Sequence, residues 1–165
     1  MKIKDIMTPR IECTCSDASV REAAEKMRAL AIGALPVLDK ERVVGVVTDR
    51  DLAVRAAALG WRPDTTPVRD VMTPEVLFCF EDQDVAAAAR VMSEKKVRRL
   101  VVLDRDSRLV GMLSLGDLAV LVDDGILIGS VLKSVSQPLG PGPRHDGNHA
   151  CRKNGGEAPL VQVAM

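Results

Sequence analysis

The sequence predicts an α+β fold built twice, each copy running strand, helix, strand, strand, helix over residues 1 to about 122. Three observations lead there. A near-repeat keeps its register across most of each copy. Within each copy the apolar spacing switches between helical and strand periods. And 47% of the 165 residues are apolar, enough for a real core in one compact domain or two very small ones.

The repeat is explicit. Asp5-Ile6-Met7-Thr8-Pro9 returns 65 residues later as Asp70-Val71-Met72-Thr73-Pro74. Val20 to Met27 returns at the same offset as Val85 to Met92, and Leu35-Pro36-Val37-Leu38-Asp39 as Leu100-Val101-Val102-Leu103-Asp104. One extra residue then moves the offset to 66, aligning Val44-Gly45-Val46-Val47-Thr48 with Val110-Gly111-Met112-Leu113-Ser114. Asp51-Leu52-Ala53-Val54 follows suit with Asp117-Leu118-Ala119-Val120.

Each element has a local reason. A short extended stretch opens each copy, Ile11 to Thr14 and Val76 to Phe80. A helix follows: Ser19 and Glu22 have the spacing of a capping box, and Asp82 or Asp84 can cap its counterpart. Val20, Ala23, Ala24, Met27 and Leu30 fall on one helical face. Next come apolar runs on either side of a polar turn, Ala34 to Leu38 with Val43 to Val47, and Leu100 to Leu103 with Leu109 to Leu113, which read as hairpins. Second helices start at Thr48 and Ser114. A unit of roughly 55 residues buries too little surface to stand comfortably alone, so pairing about a pseudo-twofold is expected.

The expected organisation is copy 1 over 1–60, a linker over 61–67, copy 2 over 68–123, a helical extension over 124–135 and a mobile tail over 136–165. Two prolines, Pro63 and Pro67, mark the linker, where Trp61 is expected to pack on the joint. The tail is rich in Gly and Pro and lacks periodicity.

Composition removes several function classes. With 23 Lys+Arg against 23 Asp+Glu, the chain lacks the positive footprint of a nucleic-acid binder. One Trp, two Phe and no Tyr leave few rings on which bases could stack. No apolar run approaches the roughly 18 residues that span a bilayer, and Asp5 stands where a signal peptide would turn apolar, so a cytoplasmic protein is expected. Reduced thiols are then the default for Cys13, Cys15, Cys79 and Cys151. His145, His149 and Cys151 are three candidate zinc ligands without a fourth, and no metal site is expected. With both histidines in the tail and no phosphate loop, no catalytic residues are expected and the chain is not read as an enzyme.

One constellation carries chemistry, and it occurs twice: Gly45-x-x-Thr48-x-x-Asp51 and Gly111-x-x-Ser114-x-x-Asp117. A hydroxyl ending a strand and a carboxylate three residues on share the first turn of a helix. That turn also presents unpaired N–H groups and a partial positive charge. The carboxylate can accept from a vicinal diol such as a ribose, the hydroxyl can donate to a phosphate, and the glycine lets another group approach the backbone. The same spacing is also an ordinary capping pattern that needs no ligand.

The paired Asp-(Ile/Val)-Met-Thr-Pro openings, the Leu35-Pro36-Val37-Leu38-Asp39 strand and the doubled Gly-x-x-(Thr/Ser)-x-x-Asp endings resemble tandem cystathionine-β-synthase (CBS) domains. The resemblance covers residues 1 to about 122. It implies two β-α-β-β-α units packed through their sheets, two clefts for AMP, ADP, ATP or S-adenosylmethionine, and pairs that often associate into a disc-shaped homodimer. Carried over by position, Asp51 and Asp117 would hold ribose hydroxyls, and Thr48 and Ser114 would reach phosphate. The stretches 32–36 and 97–101, with Ile32, Ala34, Pro36 and Val97, would flank adenine. Arg98 and Arg99 match a phosphate-reaching basic pair that copy 1 replaces with Gly33 and Ala34, where Arg50 could supply charge. Phe78 and Phe80 stand where copy 1 has Cys13 and Cys15, and their rings could fill one cleft. The expected function is a regulatory sensor whose adenosyl ligand shifts the arrangement of the pair or dimer and so modulates an unidentified protein. A structural dimerisation scaffold with self-filled clefts is the alternative, and a metal- or redox-responsive module using Cys13, Cys15 and the tail is a third.

Overall fold

In a computed structural model, residues 1–137 and 160–162 are described. A 3-10 turn, Ile3–Asp5, leads into β1 (Thr8–Pro9) and β2 (Thr14–Cys15), followed by α1 (Val20–Leu30), β3 (Ala34–Asp39) and β4 (Arg42–Thr48). The helix α2 opens over Asp49–Asp51 and continues as a wider π-helical stretch, Leu52–Ala57. A second 3-10 turn, Val68–Asp70, precedes β5 (Val76–Phe80), α3 (Val85–Lys95), β6 (Arg99–Leu103), β7 (Leu109–Ser114), α4 (Leu115–Leu121), α5 (Gly125–Ser136) and β8 (Leu160–Gln162).

The two copies share a topology. The first and second strands pair in parallel across a helix, β2 with β3 over α1 and β5 with β6 over α3. Antiparallel hairpins β3–β4 and β6–β7 follow. One sheet has the order β2-β3-β4 and the other β1-β7-β6-β5-β8. They pack face to face through Val43 of copy 1 and Val76, Phe78, Val101 and Leu103 of copy 2. This is the α+β pair expected, joined through its sheets.

Helix starts follow the residues that announced them. Ser19 and Glu22 close a full capping box, with Ser19 N–H donating to Glu22 Oε2 at 2.7 Å and Glu22 N–H to Ser19 Oγ at 3.1 Å. Of the two candidates at α3, Asp84 is the cap, accepting from Ala86 N–H at 2.9 Å. The entering strand of copy 1 differs from its expected span. Arg10 turns the chain at a φ of 50° as it leaves β1, and the chain meets β3 only at Thr14 and Cys15.

The packing units are not the repeats. The opening of each copy crosses to the other: β1 pairs antiparallel with β7 through Thr8 and Met112, while Val46 and Thr73 exchange N–H···O bonds of 3.0 and 2.9 Å. Ile3 and Ile6 therefore sit in the core of copy 2 with Met92, Leu100, Leu113 and Leu118. Val68 and Val71 sit in the core of copy 1 with Leu35, Val37 and Val47. The crossing explains the paired glycines. A Cβ on Gly111 would lie 2.6 Å from Thr8 O and 2.9 Å from Met7 Sδ, and one on Gly45 would lie 2.5 Å from Met72 Sδ and 2.9 Å from Thr73 O. The close approach the glycines permit is made by the partner copy's Met-Thr segment.

After α4 the chain turns back as α5, which seats Val131 and Val135 against Val85, Ala89, Met92 and Leu118. Leu160–Gln162, within the stretch expected to be a tail, lies parallel to Val76–Phe78 at the sheet edge.

Candidate functional site

Thr48 and Ser114 close β4 and β7 and cap α2 and α4. In copy 1, Thr48 N–H and Oγ1–H both donate to Asp51 Oδ2, at 2.9 and 2.7 Å, and Asp51 N–H returns a bond to Thr48 Oγ1 at 3.2 Å. Copy 2 repeats this: Ser114 N–H and Oγ–H donate to Asp117 Oδ2 at 2.7 Å each, and Asp117 N–H to Ser114 Oγ at 3.2 Å. Both motifs are thus capping boxes, the ligand-free reading of the spacing. Each box also fixes the carboxylate's rotamer through one oxygen, and Oδ1 takes no part in it.

The copies differ at that second oxygen. Arg55 Nη2 lies 3.4 Å from Asp51 Oδ1. The same guanidinium donates to Val71 O at 2.8 Å, Met72 O at 2.7 Å and Thr73 Oγ1 at 3.1 Å, tying the site to the crossing segment. At the repeat offset copy 2 has Leu121. Arg55 is a residue the sequence reading missed, and its signal was the four-residue spacing from Asp51 along a helix.

The other candidate residues gather around the same strand ends. Ala34 pairs with Thr48 and Arg99 with Ser114. Asp49 N–H donates to Gly33 O at 3.2 Å, and in the equivalent place Leu115 N–H donates to Arg98 O at 2.9 Å. Arg99 reaches across the pseudo-twofold, where its Nη2 would be 3.8 Å from a Cβ on Gly33. Arg50, Arg98 and Arg99 are exposed and form no ion pair among the described residues. Ile32 is exposed and Val97 half-buried, while Ala34 and Pro36 are buried.

Phe78 is inside the inter-sheet layer and meets Phe80 edge to face, ring centroids 5.5 Å apart, with the Arg105 guanidinium 4.4 Å above Phe80. An open groove of about 690 Å³ lies elsewhere. It runs between α1 and α2 on the helical side of copy 1, over Val20, Ala24, Met27, Leu52 and Ala53, with Trp61 on its rim. Of the candidate residues it includes Ile32, but not Thr48 or Asp51.

The cysteines occupy different surroundings. Burial pushes the Cys79 thiol up to about 12, and its S–H donates to Val101 O at 3.7 Å. Burial also raises Cys13, more than Lys26 lowers it, whereas Cys15 is exposed. Brief iodoacetamide treatment at pH 8 is expected to label Cys15 and to spare Cys79 until the fold opens, as read by peptide mass spectrometry; equal labelling would refute the assignment. Among the described residues no group of three or more His, Cys, Asp or Glu could hold a metal ion, and none of their helices is long and apolar enough to cross a membrane. His145, His149 and Cys151 lie outside the described residues.

Two copies that exchange their openings, face each other through their sheets and end in matching hydroxyl–carboxylate helix starts define a duplicated β-α-β-β-α module. The chain belongs to the CBS-domain family, whose model matches residues 3–57 and again 68–124. The CBS domain-containing protein YhcV of Bacillus subtilis is 35% identical over 134 residues, covering 81% of this chain and 94% of that protein. The crystal structure of CBSX2 in complex with AMP superposes with a TM-score of 0.62 at 32% identity, covering 72% of this chain and 93% of that one. The CBS domain pair of protein MJ0100, in complex with 5-methylthioadenosine and S-adenosyl-L-methionine, gives 0.63 at 29% identity, with the same coverage of 72% and 93%.

Proposed function

We propose that this chain is a non-catalytic regulatory module that binds an adenosyl compound, with AMP, ADP, ATP and S-adenosylmethionine as candidates, in the clefts headed by Asp51 and Asp117. The observation that carries the reading is the pair of pre-oriented carboxylates, each held through Oδ2 with Oδ1 outside the capping box. A diol can donate to such an oxygen without disturbing the helix start, and the exposed Arg98 and Arg99 offer charge for a phosphate. The adenosyl ligands of CBSX2 and MJ0100 support the class of compound. The mechanism is differential affinity: a ligand that binds one arrangement of the copies or of a homodimer more tightly shifts the population and changes a contact with a regulated protein, in the cytoplasm.

Titration calorimetry with the four compounds on wild type, Asp51→Ala and Asp117→Ala tests this. Removing a charged acceptor is expected to weaken binding by about 1.5–3 kcal/mol. The loss should be larger at Asp117, because Arg55 already shares Asp51 Oδ1. Undiminished binding by the double variant would overturn the site.

A second reading, a dimerisation scaffold with self-filled clefts, draws on Phe78, which is 7% exposed between the sheets. A melting temperature that none of the four compounds raises, at concentrations where about 2.7 kcal/mol of stabilisation is expected for 100-fold saturation, would favour it.

A further inference from the structure

The two copies part company at one point on the pseudo-twofold. Where copy 1 has Gly33, Ala34 and Asp49, the repeat offsets give copy 2 Arg98, Arg99 and Leu115. These departures meet in space. A Cβ on Gly33 would lie 3.0 Å from Asp49 Oδ2 and 3.8 Å from Arg99 Nη2. An acid of one copy and a base of the other therefore reach the same spot, above a residue that has no side chain to fill it. The pseudo-twofold counterpart, made by Arg98, Ala34 and Leu115, contains no carboxylate, so the couple occurs once.

The two charges are not spent on each other. Asp49 and Arg99 are both exposed, and neither forms an ion pair among the described residues. Asp49 Oδ1 accepts from Arg50 N–H at 2.7 Å, which leaves Oδ2 as the oxygen beside Gly33. Asp49 N–H donates to Gly33 O at 3.2 Å and so fixes the base of the side chain. The couple also stands at the candidate clefts. Asp49 follows Thr48 in the chain, Thr48 pairs with Ala34 next to Gly33, and Arg99 pairs with Ser114. Whatever an adenosine carries beyond its ribose, toward Thr48 or Ser114, meets both charges.

A polyphosphate suits this arrangement poorly: Arg99 attracts it, but Asp49 repels it, and the repulsion grows with each added negative charge. An α-amino-acid end satisfies both groups. Its carboxylate pairs with the planar guanidinium, and its ammonium donates to Asp49 Oδ2. We infer that Asp49 and Arg99 together form a zwitterion-selecting subsite, which makes S-adenosylmethionine the preferred compound among the four candidates. The inference rests on the adenosyl reading and narrows it to adenosyl compounds that carry an amino-acid end.

Titration calorimetry on the full chain tests this with S-adenosylmethionine, methylthioadenosine and ATP, which share the adenosine and differ in the charge attached to it. Wild type is expected to bind S-adenosylmethionine about tenfold more tightly than methylthioadenosine, the value of one charged hydrogen bond. Asp49→Asn keeps the shape and removes the charge. It should erase most of that advantage, leave methylthioadenosine nearly unchanged and tighten ATP severalfold. Arg99→Gln should erase the same advantage but weaken ATP. Opposite signs on one ligand are a readout that a merely structural role does not produce. Both positions are exposed, so circular dichroism and melting of the free variants should match wild type. Added salt should shrink both differences. Equal binding of S-adenosylmethionine and methylthioadenosine by wild type overturns the inference and leaves the adenosyl reading standing, as does an Asp49→Asn variant that weakens the two compounds alike. Failure of all three compounds to bind wild type overturns both.

Discussion

Truncating Ile3 to alanine is expected to lower the unfolding free energy by about 2–5 kcal/mol, a core-sized loss from a residue two places from the chain start. Ile3 is 0% exposed and belongs to the cluster that includes Met92, Leu100, Leu113 and Leu118 of copy 2. Its N–H donates to Gln83 O at 3.0 Å, and Lys4 N–H donates to Glu81 O at 2.9 Å, so the segment cannot slide to fill the void. The damage should therefore appear in copy 2. Denaturant melts give the size, and hydrogen exchange gives the place: amides of α3 and β6 should lose protection before those of α1 and β3. Loss confined to copy 1 would show that the opening does not cross.

The second large effect is expected at Gly111. Alanine there brings a methyl to 2.6 Å from Thr8 O, a backbone atom held in the β1–β7 pairing, and to 2.9 Å from Met7 Sδ. Something must move, and the expected cost is about 3 kcal/mol, the upper end for overpacking. Gly45→Ala should be milder, because its nearest neighbour at 2.5 Å is the thioether of Met72, a side chain that can rotate away. Ile3→Ala and Gly111→Ala loosen the same segment, so the double variant should lose less than the sum of the two. Full additivity in thermal or denaturant melts would show that the glycine and the crossing strand act independently.

These two residues also mark where sequence reading reaches its limit. The duplication, the hairpins, Ser19 as one cap and the choice of Asp82 or Asp84 as the other, and the hydroxyl–carboxylate pairs at Thr48 and Ser114 were legible because each is decided within a few residues of chain. The route of the openings was not. Asp5 to Pro9 and Asp70 to Pro74 stood out only as matching segments of the repeat, and nothing local tells such a segment which sheet it will join. Gly45 and Gly111 were noted as points where another group could approach the backbone, but that the group is the other copy's Met-Thr pair was not legible. Helical spacing placed Ala24 and Leu30 on the apolar face of α1 with Val20, Ala23 and Met27; both are exposed, since no described residue roofs the groove above Ala24. At the candidate site the carboxylates were found by pattern, whereas Arg55 acts through carbonyls at positions 71 and 72 that no motif announces.

The exchange of openings also limits how far the two halves can travel. Each sheet is hemmed by a stretch belonging to the opposite half, so prising them apart would strip Ile3 and Ile6 from one interior and Val68 and Val71 from the other. Small shears or twists at the seam are all that remain within a single polypeptide. A cut at the connecting loop would accordingly yield two unstable fragments rather than two working modules, and any large-amplitude response must be expressed where separate polypeptides meet.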